Sequence, residues 1–303
     1  MSKEATRQSQ RAGAMSTREP RATRRRVEAR SSDIDNISAD EALQRIISAS
    51  RPSWFVRNRP WLLPLATVVV ILVVWEILGR LGLINKLFFS YPSAIAEGFY
   101  KWNSQGLWTD LTASGKAFGI GMAIALLGIP AGIVVGSVRN IGFAVDPLIQ
   151  AMYSTPMVAL TPLFVIIFGL GLPSISAVVA LMAIFPILIL TAEGVRTVDG
   201  VLINASKVFG ARRWDVYRDV VVPSIVPFII SGLRLAIGRG VIGVVIGEFI
   251  GAVAGVGYRI RADAGVFNTD RYLAGIVILM VFSVGLNELV KRLEARLAPW
   301  RAR

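Results

Sequence analysis

The stretch LLPLATVVVILVVWEILG, residues 62–79, decides the class of fold. It is a continuous apolar run, and a helix with about 1.5 Å of rise per residue lets it cover most of a hydrocarbon layer roughly 30 Å thick. Arg59 and Trp61 precede the run and Arg80 follows it, as expected for residues at the two surfaces of a bilayer. The stretch therefore predicts a membrane-spanning helix.

Five further apolar segments follow toward the C-terminus: residues 115–138, 143–169, 174–195, 224–251 and 272–290. Only residues 170–173 separate the third segment from the fourth, which predicts a tight hairpin at one side of the bilayer. The chain has 303 residues, of which 54% are hydrophobic, and its mean hydropathy is +0.59. We therefore predict an all-α integral membrane protein with six transmembrane helices.

Composition also limits the chemistry of the chain. It contains no Cys and no His, which excludes thiol chemistry, disulfides and thiolate metal sites, and it has no Gly-x-x-x-x-Gly-Lys-Ser/Thr phosphate loop. We therefore predict no catalytic residue and no cofactor or metal bound by this chain. The formal net charge of +13 also fits a nucleic-acid-binding protein. However, the basic residues cluster beside the apolar runs, as in membrane proteins, so nucleic acid is not a predicted partner.

The distribution of Lys and Arg predicts the orientation in the membrane. Residues 1–59 carry thirteen of them, the loop at 204–218 carries four, and the chain after Val290 carries five. In a six-span topology these three regions share one side, whereas the connections on the other side carry three, none and three. Because cytoplasmic segments are enriched in Lys and Arg, both termini and the 204–218 loop are predicted to be cytoplasmic.

Four regions are predicted along the chain. Residues 1–37 are a disordered basic tail, because they contain too few large apolar side chains to offset the entropy of ordering. Residues 38–60 hold a short amphipathic helix, at about 39–49, and a linker; the helix contacts the membrane or a partner, or is a weakly ordered turn in a solvated tail. Residues 61–297 form the membrane domain with a loop at 200–223, and residues 298–303 form a cytoplasmic tail.

A polar, basic loop between the fourth and fifth spans carries the most specific motif, NASKVFGARRW at residues 204–214 followed by VVVP at 220–223. The loop resembles the EAA motif of permeases from ABC importers. Ala205, Gly210 and Pro223 are in register with that motif, whereas Asn204 stands where the motif usually has Glu.

The resemblance extends over about residues 60–297. Segments in the same order as in the nitrate/sulfonate/taurine/bicarbonate group of these permeases lie at residues 91–93, 147–151, 154–156, 160–164, 168–171, 185–187, 194–199, 232–236, 242–245 and 255–258. The resemblance implies a non-catalytic permease subunit in the inner membrane, which pairs with a second copy. It also implies cytoplasmic ATPase subunits that bind ATP and Mg, and an extracytoplasmic binding protein that delivers the substrate.

The expected substrate is a small anion or organic acid, such as nitrate, a sulfonate or taurine, or bicarbonate, with a vitamin precursor as an alternative. An ion-gradient-driven secondary transporter is a rival from another class. It is disfavoured because such proteins carry ionisable residues across several spans, whereas here the unpaired charges collect in span five.

The loop is expected to form a coupling helix that docks into the ATPase subunit and transmits its movement to spans four and five. The predicted docking residues are Asn204, Ala205, Lys207, Gly210, Ala211, Arg212, Arg213, Trp214 and Pro223. Arg212, Arg213 and Trp214 are expected to make direct contact, because Arg and Trp are common interface anchors. In the alternative interpretation, the Arg residues only meet lipid phosphates.

Ionisable residues inside span five give the second hypothesis. Arg234, Arg239 and Glu248 must face protein or water, because a charge at the bilayer centre costs about 2.5–3.5 kcal/mol. Arg234 and Glu248 share one face and are candidates for the translocation pathway or for a structural role, and Arg239 is expected to be structural, bonding backbone carbonyls of adjacent spans or reaching the cytoplasmic surface. Tyr153 and Met157 are further pathway candidates, against ordinary packing. Four glycines are predicted to allow close packing at a dimer centre: Gly240, Gly243, Gly247 and Gly251.

Overall fold

The computed structural model describes the backbone of residues 54–297 and the side chains of residues 62–296. The chain divides into two units, residues 1–70 and residues 71–303, and the described part of the first unit is the beginning of one helix. The predicted tail at 1–37, the amphipathic helix at 39–49 and the C-terminal tail at 298–303 lie outside the described residues.

All regular structure in the described residues is helical. The α-helices are α1 (Trp54–Arg80), α2 (Pro92–Ser104), α3 (Leu107–Ala125), α4 (Gly128–Ser137), α5 (Arg139–Ser154), α6 (Thr161–Phe168), α7 (Leu172–Arg196), α8 (Gly200–Val208), α9 (Arg213–Val216), α10 (Val222–Gly251), α11 (Val256–Gly265) and α12 (Thr269–Leu297). A 3₁₀ turn, Met157–Leu160, precedes α6, and a π turn, Tyr217–Val221, precedes α10.

Five helical segments are long and apolar enough to cross a membrane: Leu62–Arg80, Leu107–Ser137, Leu172–Arg196, Arg213–Gly251 and Thr269–Arg296. A sixth span exists if the bent pair Arg139–Ser154 and Met157–Phe168 counts as one. The predicted all-α membrane class is therefore confirmed.

The predicted third span at 143–169 corresponds to this bent pair, whose two halves meet at an angle of 85°. Thr155 is extended, with ψ of 136°, and Pro156 follows it. A residue before proline disfavours the helical conformation, and proline itself has no N–H to continue the helix. The sequence Thr155-Pro156 therefore ends α5, and the chain restarts as a helix in a new direction.

The second span begins at Leu107, eight residues before the predicted start at 115. Asp110 and Ser114 made this region look too polar for a span. Both side chains are buried, with 2% and 8% of their surface exposed, and both are hydrogen-bonded inside the protein. Polar residues that find partners in this way do not need to leave the membrane domain. The short helices α2 and α11 were not predicted.

Helices α7 and α10 pack against each other at the centre of the second unit, with α3 and α4 along α7 and α12 beside α10. The glycine stripe of α10 makes this packing close. A Cβ added to Gly243 would come within 3.1 Å of Val179 Cα, and one added to Gly247 within 3.2 Å of Ile175 Cα, both in α7. Gly240 faces Phe118 of α3, and Gly251 faces Val165 of α6. The stripe therefore packs against helices of its own chain, and its position at a dimer centre stays a prediction.

Candidate functional site

The loop between α7 and α10, residues 200–223, is here called the coupling segment. It consists of α8, a turn at Gly210, α9 and the π turn that leads into α10. Asp199 caps α8, because its Oδ1 accepts a hydrogen bond from the Val201 N–H at 2.8 Å. Gly210 has a φ of +84°, a conformation that other residues adopt at a cost, so glycine is needed for this turn.

The inner face of the coupling segment packs on the ends of the long helices. Val216, Val221 and Ile225 form a buried cluster, and Ile203 and Ala211 pack against it. The cluster also includes Ile133 of α4, Val195 near the end of α7, and Val198 just after α7. Apolar contacts therefore tie the base of the coupling segment to α4, α7 and α10.

The outer face of the coupling segment exposes large apolar side chains. Val208, Phe209 and Trp214 have 85%, 90% and 74% of their surface exposed. They lie among the basic residues Lys207 and Arg212. Fully burying one such side chain contributes about 1.5–3 kcal/mol, and exposed aromatic groups beside arginines are typical of protein interfaces.

The structure brings most predicted docking residues to this surface. The exposed ones are Asn204, Ala205, Lys207, Gly210, Arg212, Arg213 and Trp214. Ala211 and Pro223 are half-buried, and they belong to the base of the segment and the first turn of α10. Val208 and Phe209 were not predicted as docking residues, although they form an apolar pair inside an otherwise polar loop.

Glu248, near the opposite end of α10, is buried with 1% of its surface exposed. Its Oε1 accepts a hydrogen bond from the Ser114 hydroxyl at 2.6 Å, and its Oε2 accepts one from the Gly257 N–H at 2.6 Å. A carboxylate at a helix N-terminus satisfies free N–H groups and the positive end of the helix dipole. Glu248 therefore holds the start of α11 in place. This contact favours a structural role for Glu248 over a role in the translocation pathway.

Asp110 and Ser114 lie beside Glu248, and the three residues are here called the polar cluster of α11. Asp110 accepts hydrogen bonds from the Gly255 N–H at 2.9 Å and from Trp102 Nε1 at 2.9 Å, and it pairs with Arg259 at 3.2 Å. Ser114 accepts one from the Val256 N–H at 2.8 Å. Three consecutive N–H groups at the start of α11 thus have side-chain partners from α3 and α10.

The other ionisable residues of α10 also contact helices of the same chain. Arg234 forms an ion pair with Glu294 of α12. Arg239 donates a hydrogen bond from Nη2 to the Tyr153 hydroxyl at 3.2 Å, and its guanidinium lies 5.2 Å from the centre of that ring. Met157 packs in the apolar cluster around Val135 and Phe185. Tyr153 and Met157 therefore lie at the break of the bent pair, and the structure does not bring them together with Arg234 or Glu248.

A polar stripe on α3 was missed by the sequence analysis. Thr109, Thr112 and Lys116 line a cavity of about 330 Å³ that also reaches Gly171 and Glu248. Lys116 is exposed, and in the described part of the chain no carboxylate lies within 4 Å of it. An ionisable residue inside a predicted span was the available signal, because such residues mark pathways or partners.

The helical fold and its five or six apolar spans define a multi-pass membrane protein. The chain belongs to the family described as binding-protein-dependent transport system inner membrane component, which matches residues 128–299. The resemblance found in the sequence is thereby confirmed.

Three relatives cover most of the chain. The putative aliphatic sulfonates transport permease protein SsuC of Bacillus subtilis (strain 168) is 31% identical over 81% of this chain and 92% of its own length. The taurine transport system permease protein TauC of Escherichia coli (strain K12) is 32% identical over 80% and 91%. The formylaminopyrimidine transport permease protein ThiX of Halalkalibacterium halodurans is 30% identical over 78% and 95%.

A solved structure has the same fold. A chain of the inward-facing MetNI methionine ABC transporter, in its CY5 native crystal form, aligns with a TM-score of 0.53 at 18% identity. The alignment covers 65% of this chain and 98% of that one. Together with the family match, this makes the chain a non-catalytic permease subunit of an ABC importer, in which a partner subunit hydrolyses ATP.

Proposed function

We propose that this permease carries a small anion, with an organosulfonate as the first candidate, and that it acts as one of two identical subunits. Residues 200–223 dock a cytoplasmic ATPase subunit, both termini are cytoplasmic, and an extracytoplasmic binding protein delivers the substrate at the other face. The positive-inside distribution of Lys and Arg supports this orientation.

The exposed aromatic pair of the coupling segment, Phe209 and Trp214, carries the docking proposal. These rings have 90% and 74% of their surface exposed, on a segment whose inner face is packed on α4, α7 and α10. An ATPase subunit that covers both rings gains apolar burial, and Arg212 and Arg213 beside them supply charged contacts. The fixed base then transmits the movement of the ATPase subunit to the spans.

Two observations support a sulfonate or similar oxyanion. The names of two relatives specify aliphatic sulfonates and taurine, which is itself a sulfonate. The cavity beside α3 offers the amine of Lys116 and the hydroxyls of Thr109 and Thr112, which suit an anion that accepts hydrogen bonds. The formylaminopyrimidine relative keeps a vitamin precursor as the second candidate.

The docking proposal is tested by adding purified ATPase subunit to the reconstituted permease and measuring association and ATP-dependent uptake. The double variant Phe209→Ala/Trp214→Ala is expected to weaken association at least tenfold and to reduce uptake in proportion, because two buried anchors are lost. Trp108→Ala is the matched control, because Trp108 is 68% exposed but lies on α3, outside the coupling segment. Unchanged association in the double variant, or uptake on an ion gradient without ATP, would overturn the proposal.

The substrate proposal is tested with taurine and formylaminopyrimidine as separate probes, each supplied with the cognate binding protein. Lys116→Gln is expected to lower taurine uptake severalfold, whereas Lys101→Gln, on the exposed side of α2, leaves it unchanged. Transport of formylaminopyrimidine alone, unaffected by Lys116→Gln, would favour the vitamin precursor.

A further inference from the structure

A second cavity lies between the coupling segment and the membrane domain, on the inner side of the segment. Its volume is about 590 Å³, and its walls come from the ends of α4 and α7, from α8 and α9, and from the π turn. The exposed rings of Phe209 and Trp214 do not line it. It therefore excludes the aromatic pair on which the docking proposal depends, although Lys207 and Arg213 belong to both regions.

The charged side chains that line this cavity are all basic. Arg196, Lys207 and Arg213 line it, and no Asp or Glu does. In the described residues, neither Lys207 nor Arg213 has a carboxylate within 4 Å. Arg196 is paired with Asp146, but both contacts, at 2.8 Å, use Nη2, so its other guanidinium N–H groups are available.

A buried hydroxyl at the same place lacks a partner. Ser137, the last residue of α4, lines the cavity, and its Oγ is buried without a hydrogen bond in the structure. Buried polar groups are normally hydrogen-bonded, and an exception needs an explanation. A ligand oxygen in the cavity would accept this hydrogen bond together with those from the three basic side chains.

The remaining lining is apolar and includes Val195, Val198, Ile203, Val216 and Val221. A site with two unpaired cations above an apolar base is complementary to an amphiphile with an anionic head. Arg binds phosphate oxygens through paired N–H groups, and Lys adds a point charge.

We propose that this cavity binds a phosphate group, and that the bound group holds the coupling segment against the ends of α4 and α7. The phosphate comes from an anionic phospholipid of the adjacent leaflet or from a free phosphate compound. The site goes beyond the docking of the ATPase subunit. It shares Lys207 and Arg213 with the predicted docking residues, but it does not use Phe209 and Trp214, on which the docking proposal depends.

The test uses the full-length permease without any ATPase subunit. Thermal unfolding is measured in nanodiscs of phosphatidylcholine alone, in nanodiscs with one part in four of phosphatidylglycerol, and in phosphatidylcholine nanodiscs titrated with inorganic phosphate. A rise in the unfolding temperature with phosphatidylglycerol assigns the site to lipid, a rise with inorganic phosphate assigns it to a free compound, and no rise with either overturns the proposal.

Two variants test whether the cavity causes the effect. Lys207→Gln/Arg213→Gln is expected to weaken the apparent affinity roughly tenfold or more, since charge-assisted hydrogen bonds are lost. Arg212→Gln/Arg218→Gln is the matched control, because it removes two cations of the same segment that do not line the cavity. Equal losses in the two variants would mean that only the general charge of the segment matters, and would overturn the site. Either result leaves the ATPase-docking test unaffected.

Discussion

The two ends of α10 differ in how their polar groups are satisfied. At the C-terminal end of α10, here called the outer end, Glu248 is buried, and the cluster that it forms with Asp110 and Ser114 binds the N–H groups at the start of α11. At the N-terminal end, here called the inner end, the coupling segment exposes aromatic rings, and its cations Lys207 and Arg213 have no carboxylate partner in the described residues. The polar groups at the outer end have hydrogen-bond partners within the chain. The inner end leaves apolar and basic side chains exposed, so we expect them to contact another molecule.

This difference shows where each end gains its stability. The outer end depends on close contacts that tolerate little change, because a buried polar group that loses its partner costs free energy. The inner end depends on an apolar base, while its outer surface contributes little to the folded single chain. Substitutions at the outer end should therefore change stability, and substitutions at the inner end should change association.

The largest effect is expected at Gly255, in the turn before α11. Its φ is +132°, and an added Cβ would overlap the carboxylate of Glu248. Gly255→Ala should destabilise the protein by about 3 kcal/mol or more, from backbone strain and displacement of the cluster. Thermal unfolding in detergent measures the change. Gly265→Ala is the control, because nothing lies within 4 Å of its added Cβ, and it should be neutral or slightly stabilising.

A smaller but still large effect is expected for Glu248→Ala, which leaves Ser114 and the Gly257 N–H without their partner. The loss should be about 1–3 kcal/mol, again visible in thermal unfolding. Glu288→Ala serves for comparison, because the Glu288 side chain is 50% exposed and its ion pairs with Lys291 and Arg292 are surface pairs. Such pairs contribute about 0–1 kcal/mol. If the two variants unfolded at the same temperature, the buried cluster around Glu248 would contribute no more stability than surface ion pairs do.

The smallest stability effect is expected for the helix cap of the coupling segment. Asp199→Ala removes the hydrogen bond to the Val201 N–H and should cost about 0.5–2 kcal/mol locally. Global unfolding should barely move, but the affinity for the ATPase subunit should fall, since α8 loses its fixed start. Asp199→Asn, which keeps a capping oxygen, should restore most of the affinity. A loss of affinity with Asn as large as with Ala would show that the charge matters rather than the cap.

Much of the fold follows from the sequence, because apolar length is a direct consequence of the bilayer thickness. Spans one and four were placed within a few residues of Leu62–Arg80 and Leu172–Arg196. The start of the second span was not predicted, because Asp110 and Ser114 look polar until their partners on α11 are known. Those partners lie more than 140 residues away in the chain, and no local pattern reveals them.

The candidate site was predictable to a similar extent. The motif placed most docking residues on one exposed surface, because its glycine and proline fix the local turn. Val208 and Phe209 were not predicted, since two adjacent apolar residues in a loop carry no periodic signal. The glycine stripe of α10 indicated close packing but could not name the partner, because a helix of the same chain and a helix of a second copy leave the same pattern in the sequence.

The bend of 85° between α5 and α6 has a consequence for the whole assembly. Residues between the two helices, including Thr155, Pro156 and Val158, are exposed in the single chain. Hydrocarbon tails accept no hydrogen bonds, so irregular backbone at membrane depth has to meet water or another polypeptide. A solitary copy surrounded by lipid would leave these peptide groups unsolvated. We therefore expect water or a second polypeptide to cover the kink in the assembled transporter.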